Sequence, residues 1–577
     1  MGDLNTFSLD FWDYFAFLGY FAVLCFVGWW VGRAKKENSE DYFLAGRTLP
    51  WYVVGASFIA SNISTEHFIG MIGAAFVYGV CVSMSEWANI MSFSILIWFF
   101  IPFLLAAKVF TTPEFMEKRF NSTLRQFFAV VSILCNIVAF LAAVLYGGGI
   151  ALQKLFGWNM WFAIIVLGIA AGGWALYGGL KSAAWIDLVT VVVMVAGGLM
   201  VTVLGIYMLA GEGGSFIDGL KVMIQCNQAK TGVWKEVVQQ NAYNIAKVSE
   251  YNRLSVIQPM THQVMPWPGL VFGFLSISIW YNVINQFMIQ RVLGAKNVYH
   301  ARMGIVFAGY LKILLPAMVV VPGLILFAKY PEVMKLEWNT IRPQADKGYV
   351  HMLQTLLPIG LRGVFLAALF GAIQSTVQAV LNSTATLFTF DIYKRMLNKT
   401  ASEKNLVLTG RLTTLVVLVI AIVLGRYIEK LGDGLFVYIQ SLYAFFAPPF
   451  AAVFLWGVLF KRINGAGATW AVFAGFLFGI LMKVYIQVVP GHMFWIEPYA
   501  NQAIINWTFC SIICIGVSLM TAPPKPEQVT DDLTFNWRKI NVLEGLGDRW
   551  YNSVVLWWSI FAVIIIGLIV LLSGRFV

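Results

Sequence analysis

The stretch "GASFIASNISTEHFIG", residues 55–70, carries Ser57, Ser61, Asn62, Ser64, Thr65, Glu66 and His67 where the apolar flanks call for a membrane helix. In hydrocarbon an unsatisfied polar group is costly, so irregular or polar segments at depth survive only where they face protein or a water-filled cavity. The stretch must therefore line something. Its Gly, Ser and Asn lower helix propensity around residues 60–64, and a break there releases carbonyl oxygens with no partner in their own helix. Freed carbonyls in a dry place suit a small hard cation. The competing reading is a small-residue packing face, for which Gly55, Ala56 and Ser57 would serve.

Outward from this stretch the chain is greasy throughout. Its 577 residues are 59% hydrophobic, 16% aromatic and 12% charged, with a mean hydropathy of +0.76, which is an integral membrane composition. The formal charge of +11 does not point to nucleic acid, because Lys and Arg fall in short clusters between apolar runs. Of the six cysteines only Cys226 lies in a polar loop, so neither a disulfide framework nor a metal spacing is visible. Spans of about 20 residues place fourteen helices near 11–32, 51–80, 84–108, 123–152, 160–178, 184–210, 266–291, 304–328, 360–390, 408–425, 434–460, 467–488, 503–521 and 552–573.

Charge in the connections orients them. Arg33, Lys35, Lys36 and Arg47, then Lys108, Lys118, Arg119 and Arg125, then Lys394, Arg395, Lys399, Lys404 and Arg411 all fall on one side. Lys461, Arg462, Arg538, Lys539 and Arg549 join them, whereas 490–502 has no Lys or Arg. The basic side is cytoplasmic by the positive-inside rule, which puts both termini outside the cell membrane. Asp3, Asp10 and Asp13 open the chain without a basic n-region, so no signal peptide is read. The longest connection, 211–265, is too small for a catalytic or output domain, which argues against a sensor and against any obligate protein partner. The histidines outside the opening stretch, His262, His300, His351 and His492, are scattered without metal spacing, which argues against an enzyme.

Further polar groups sit at depth. Glu86 in "SEWAN", Asp187 in "AAWIDLVT" and Lys312 in "AGYLKILLP" lie in apolar neighbourhoods, each a functional candidate by its cost. Asp187 also fits a helix-start carboxylate. In "GAIQSTVQAVLNSTATLFTFDIYKR", residues 371–395, Ser375 and Thr376 offer hydroxyls that either complete a cation shell or bond back to their own helix.

At these residues the chain resembles the sodium/solute symporter family, and within it the sodium/glucose and sodium/galactose cotransporters. "GASFIASNISTEHFIG", "EFMEKRF", "YGGLKSAAWIDLVT", "PWPGLVFG", "WYNVINQFMIQRVLGAKN", "LRGVFLAALF", "LNSTATLFTFDIYKR" and "VYIQSLYAFFAPPFAAVFL" stand in the family's order. The resemblance implies an all-α fold with a LeuT-like core of two inverted five-helix repeats. On this chain it divides into an N-terminal helix and loop (1–50), a first repeat with its extracellular loop (51–265), a second repeat (266–460) and added C-terminal helices (461–577). It implies sodium as coupling ion, held by the carbonyls of Ala60, Ile63 and Ala372 and the hydroxyls of Ser375 and Thr376. Thr376 stands where the family often has Ser. Sugar contacts carry over onto Asn62, His67, Glu86, Ser278, Tyr281, Lys312 and Gln440, a mixture of amide, imidazole, carboxylate and ammonium that suits a ring of hydroxyls. Tyr281 would be the inner gate, with Met71 and Phe436 closing the site from outside; Glu66 is expected to face away from the sugar. Asn282 stands where some animal members have a stacking Trp, and Val437 where they have Asp. Members that couple a second sodium have an acid at the position of Asp187 and hydroxyls one turn beyond Ser375 and Thr376, a turn that here holds Gln378 and Ala379. The expectation is a carrier of a neutral hexose, one sodium per sugar, working in a lipid bilayer. myo-Inositol is the runner-up, followed by an amino acid, a monocarboxylate or sialic acid.

Overall fold

The computed structural model describes residues 9–33, 38–106, 109–228, 241, 244–342, 344–346, 358–428, 435–536 and 544–574. Lys35, Lys36, Lys108, His351, Arg538 and Lys539 lie outside the described residues. The fold is all-helical. Among the described residues eleven helices are long and apolar enough to cross a membrane, and twelve if Gly269–Ile284 and Gln286–Leu293, bent by 48° at Asn285, form one span.

Two of the expected segments differ, each for a local reason. The 51–80 segment is broken: Trp51–Asn62 ends where Ile63 turns extended (φ −74°, ψ 121°), and the helix resumes over Glu66–Met71 and Ile72–Tyr78. The 160–178 segment gives only the short apolar helix Met160–Leu176. It runs through a kink at Gly179 (φ 62°, ψ −166°) into the helix that ends at Ala210. A Cβ at Gly179 would lie 2.5 Å from the Tyr42 carbonyl, so only glycine fits this corner. Elsewhere the helices outrun their expected bounds: the 304–328 span starts at Val298 and continues to Lys329, and the 360–390 span reaches Leu397.

Burial ranks the elements. Nearly nine-tenths (89%) of the apolar window in Leu361–Leu397 is buried, against 17% in both Phe11–Gly32 and Val554–Leu571. The polar helix with Ser375 and Thr376 is therefore the axis of the bundle, and the terminal helices are peripheral.

The connections sort into two ends. Ser39 donates its backbone N–H to Glu403 (2.8 Å), Arg47 reaches the Leu293 carbonyl (3.3 Å), and Arg125 pairs with Asp391 (2.7 Å). Arg395 pairs with Glu117 (2.7 Å), Arg119 donates to the Gly457 carbonyl (2.8 Å) and Arg302 to that of Glu544 (2.7 Å). The described basic connections thus form one network at one end of the bundle. At the other end Asp13 accepts from the backbone of Gly360 (2.8 Å) and Gly363 (3.0 Å), and Val256 donates to the Leu572 carbonyl (2.8 Å). There the buried Arg253 donates to the carbonyls of Phe76 (2.7 Å) and Val77 (2.8 Å), the last turn of Ile72–Tyr78, while its guanidinium lies 3.8 Å from the Phe327 ring centroid. These carbonyls have no helical partner, so the loop arginine caps the outer end of the broken helix.

Candidate solute and cation sites

The break at residues 63–65 determines both sites. In an unbroken helix the Ser64 N–H would close on the Ala60 carbonyl; here it donates to His67 Nδ1 (3.3 Å). That takes the Ala60 carbonyl out of the helical ladder. Across the break stands the axial helix Leu361–Leu387. Its Thr376 hydroxyl lies 3.1 Å from the Ser61 carbonyl and 3.0 Å from that of Ile63. Ser375 donates instead to Asp187 Oδ1 (2.6 Å), and Ser57 donates to Oδ2 of the same carboxylate (2.6 Å). Ala60, Ile63 and Ala372 are wholly buried. Asp187 is not a helix-start carboxylate: it lies about two turns beyond Gly179, buried, tying the first half of the broken helix to the axial helix. Of the positions expected at the cation site, Thr376 thus stands against the Ile63 carbonyl and Ser375 against Asp187, with Ala60 and Ala372 also buried, at a junction rich in oxygen. Carbonyls and hydroxyls of this kind suit a sodium ion, which asks for oxygen ligands and no soft donor.

On the other flank of the break lies a cavity of about 40 Å³. Asn62, His67, Glu86, Ser278, Tyr281, Lys312 and Gln440, all seven expected solute contacts, line it. Five elements position them. The broken helix supplies Asn62 from its first half and His67 from the π-helical turn Glu66–Met71; the short helix Met84–Trp87 supplies Glu86. Ser278 and Tyr281 sit on Gly269–Ile284, itself interrupted by a π turn over Trp280–Ile284, Lys312 on Val298–Val319 and Gln440 on Leu435–Leu459. Such π turns re-aim side chains and collect at functional sites.

The polar groups form a circuit. Lys312 Nζ donates to both Asn62 Oδ1 and Glu86 Oε2. Glu86 Oε1 stands 3.3 Å from His67 Nε2, and His67 Nδ1 holds the Ser64 N–H. Asn62 Nδ2 donates to the Tyr281 hydroxyl at 2.8 Å. Both ends of the break are therefore tied to the cavity wall, Asn62 as a lining residue and Ser64 through its bond to His67. A buried Lys–Glu pair of this sort persists only because each partner is also hydrogen-bonded.

Expectation and structure part at several residues. Glu66 does not face away from the site: it lines the cavity, accepting from Gln440 Nε2 (3.1 Å) and the Tyr443 hydroxyl (3.4 Å). The π turn rotates it inward. Ser85, Asn89, Phe274, Ile277 and Tyr443 complete the lining, and helical spacing could have flagged two of them, Asn89 three residues after Glu86 and Tyr443 three after Gln440. Asn282 does not reach the cavity; it donates to Asn89 Oδ1 (2.6 Å) and Ser92 (2.9 Å). Phe436 and Val437 line a second, outer cavity of about 20 Å³. Phe436 packs so closely on Gly70 that a Cβ there would meet its backbone nitrogen at 2.9 Å. Met71 is buried and lines neither cavity.

Comparison with known proteins agrees with this architecture. The chain is 35% identical to a sodium/glucose cotransporter of Vibrio parahaemolyticus over 553 residues, covering 93% of this chain and 96% of the relative. It is 30% identical to a human sodium/myo-inositol cotransporter, covering 91% and 75%. Among solved structures it is similar in fold to a substrate-bound, outward-open Na+-coupled sialic acid symporter, with a TM-score of 0.73 at 20% identity over 90% of this chain and all of that one. The model of the sodium:solute symporter family matches residues 42–475, and the chain belongs to that family.

Proposed function

We propose that this symporter imports a neutral hexose of the glucose or galactose type, one sodium with each sugar, by alternating access across the cell membrane. The observation that carries the reading is the cavity beside the break. Its wall mixes the amides of Asn62, Asn89 and Gln440, the hydroxyls of Ser278, Tyr281 and Tyr443, one imidazole, two carboxylates and one ammonium. Groups that both donate and accept match solute hydroxyls that do the same. A carboxylate solute finds no spare cation there, since Lys312 is already shared by Glu86 and Asn62. That argues against a monocarboxylate, an amino acid or sialic acid.

Sodium bound by Ala60, Ile63, Ala372, Ser375 and Thr376 would fix the break against the axial helix. Because Asn62 lines the cavity and Ser64 holds His67, which lines it too, the same event would order the solute contacts. Phe436 and Met71 close the outside and Tyr281, held by Asn62, the inside. The membrane potential contributes about 2.3 kcal/mol per charge per 100 mV, to which the sodium gradient adds. One sodium is supported by Asp187, whose two oxygens are taken by Ser57 and Ser375, and by Gln378 and Ala379 in the turn beyond.

The fourteen-span layout follows if the broken helix and Met160–Leu176 both cross the membrane. Interruptions at residues 63–65 and at Asn285 then fall at corresponding places, the opening helices of inverted repeats over 51–265 and 266–460, with 1–50 and 461–577 as added segments. The basic end of the bundle is the cytoplasmic one, so both termini lie outside. Nothing in the lining requires a protein partner or any cofactor but sodium.

myo-Inositol is the second reading, favoured by the sodium/myo-inositol cotransporters among the relatives. Equilibrium binding of labelled glucose, galactose and myo-inositol in detergent, with sodium and then with potassium, separates the two. Sodium-strengthened binding of a hexose at least about tenfold tighter than inositol is expected; the reverse order would replace hexose by inositol.

A further inference from the structure

The two carboxylates of the cavity are not equivalent. Glu86 is engaged on both oxygens, by Lys312 and by His67. His67 accepts the Ser64 N–H on Nδ1, which leaves Nε2 to face Glu86. Glu66 meets only neutral donors, the Gln440 amide and the Tyr443 hydroxyl. No cation stands within ion-pair reach of it among the described residues. Its backbone is pinned as well: the Glu66 N–H donates to Ser64 Oγ at 3.1 Å, one turn from the cation site. A buried carboxylate held by neutral groups alone is expensive in a site this dry. With Lys312 committed to Glu86, whatever enters the cavity is what completes Glu66.

We propose that Glu66 is the charge-selecting residue of the cavity, through which the carrier accepts polyols bearing an ammonium group, amino sugars, alongside neutral ones and rejects sugar acids. The proposal rests on the hexose reading above. A neutral sugar offers the carboxylate hydroxyl donors; an ammonium in place of one hydroxyl offers three donors and the missing charge. A sugar carboxylate would instead face Glu66 and Glu86 together, with like charges repelling and the ammonium of Lys312 already shared. Gln440 and Tyr443, on the helix that also carries Phe436, hold Glu66, so a solute that recruits Glu66 loosens that helix from the broken one. Glu66 is thus placed to report solute charge to the outer gate.

The test is transport by the full chain in proteoliposomes, with D-glucose, D-glucosamine at a pH where its amine is protonated, and D-glucuronate. The expected result is sodium-dependent glucosamine uptake carrying one elementary charge more per solute than glucose uptake, with glucuronate competing at least about a hundredfold more weakly than glucosamine. In Glu66→Gln, glucose uptake persists with a raised KM, while glucosamine loses at least about tenfold more than glucose does. Equal charge per solute for the two sugars, glucuronate competing as well as glucosamine, or an unchanged glucosamine-to-glucose ratio in Glu66→Gln would each overturn the proposal. If Glu66→Gln does not fold, the wild-type charge count and competition decide alone. A wild type that moves glucosamine but no neutral hexose would overturn the hexose reading and the acceptance of neutral sugars, while upholding the charge selection by Glu66; one that moves neither would overturn both.

Discussion

At Ser375 one hydroxyl stands between two roles, donor to Asp187 and, as proposed, oxygen ligand to sodium. A hydroxyl can do both at once, since donating its proton leaves lone pairs for a cation. Ser375→Ala is therefore expected to raise the sodium concentration for half-maximal uptake about tenfold, close to 1.4 kcal/mol, with the ranking of solutes unchanged. An unaltered sodium activation curve would remove Ser375 from the cation site. The Lys312–Glu86 pair gives a second residue-level expectation. Glu86→Gln leaves a buried ammonium without its counter-charge, a loss of about 3–5 kcal/mol, whereas Glu86→Gln with Lys312→Met removes both charges and restores most of that. Thermal unfolding in detergent reads the difference; single and double variants melting alike would show that the pair carries no stability. Asn62, His67, Glu86 and Lys312 were legible in the sequence because polar groups at membrane depth are costly wherever they point, whereas Ser278, Tyr281 and Gln440 came only from the family resemblance. Glu66 was not, because its direction depends on how the chain leaves the break, and the π turn that rotates it inward depends on tertiary packing against Leu435–Leu459 rather than on local propensity.

Among the elements, the broken helix depends on its ends as well as on its break. Gly79 (φ 84°) ends it where a Cβ would meet the Arg253 carbonyl at 2.3 Å, and the Arg253 guanidinium caps the carbonyls just before. Arg253→Ala leaves these carbonyls and Asn227 without their donor and is expected to cost about 2–3 kcal/mol. Hydrogen exchange should rise within Ile72–Tyr78; exchange unchanged there would show that water replaces the cap. Lys in place of Arg is not expected to rescue, since a single ammonium cannot span three carbonyls. The same loop contains a proton-linked element. His262 Nδ1 accepts from the backbone of Val264 (3.2 Å) and Met265 (2.9 Å), and burial pushes its pKa down to about 3 from the ordinary imidazole value. The unfolded chain takes up this proton below about pH 6.5 and the folded one does not, so stability is fully present above that pH and falls as acid is added, by about 2 kcal/mol at pH 5. His262→Asn keeps an acceptor without the titration, and its thermal midpoint should fall less between pH 7 and pH 5 than that of the wild type. Equal falls would place the acid sensitivity elsewhere. The break was legible from Gly, Ser and Asn in an apolar run, but not this cap, because Arg253 and Gly79 are 174 residues apart in sequence and only the fold brings them together.

Over the whole molecule, burial, charge and topology agree. The most polar long helix is the most buried, the apolar terminal helices are the most exposed, and the basic connections gather at one end. This inversion of the soluble-protein rule is what a bilayer imposes. Among the described residues, the eleven long apolar spans fall where hydropathy alone put them. What hydropathy could not give was the continuity of Met160–Ala210 through Gly179, where a single positive φ angle joins two runs, nor the extension of spans past charged ends such as Arg302 and Asp391, whose partners, the Glu544 carbonyl and Arg125, lie far away along the chain. The central claim, that the sodium gradient drives a hexose through this bundle, is tested most directly by accumulation of labelled hexose in sealed proteoliposomes under an inward sodium gradient, with potassium as the control. Accumulation above the external concentration that collapses when potassium replaces sodium is the predicted result. Equal uptake with either cation, or none above equilibrium from protein shown to be folded, would contradict it.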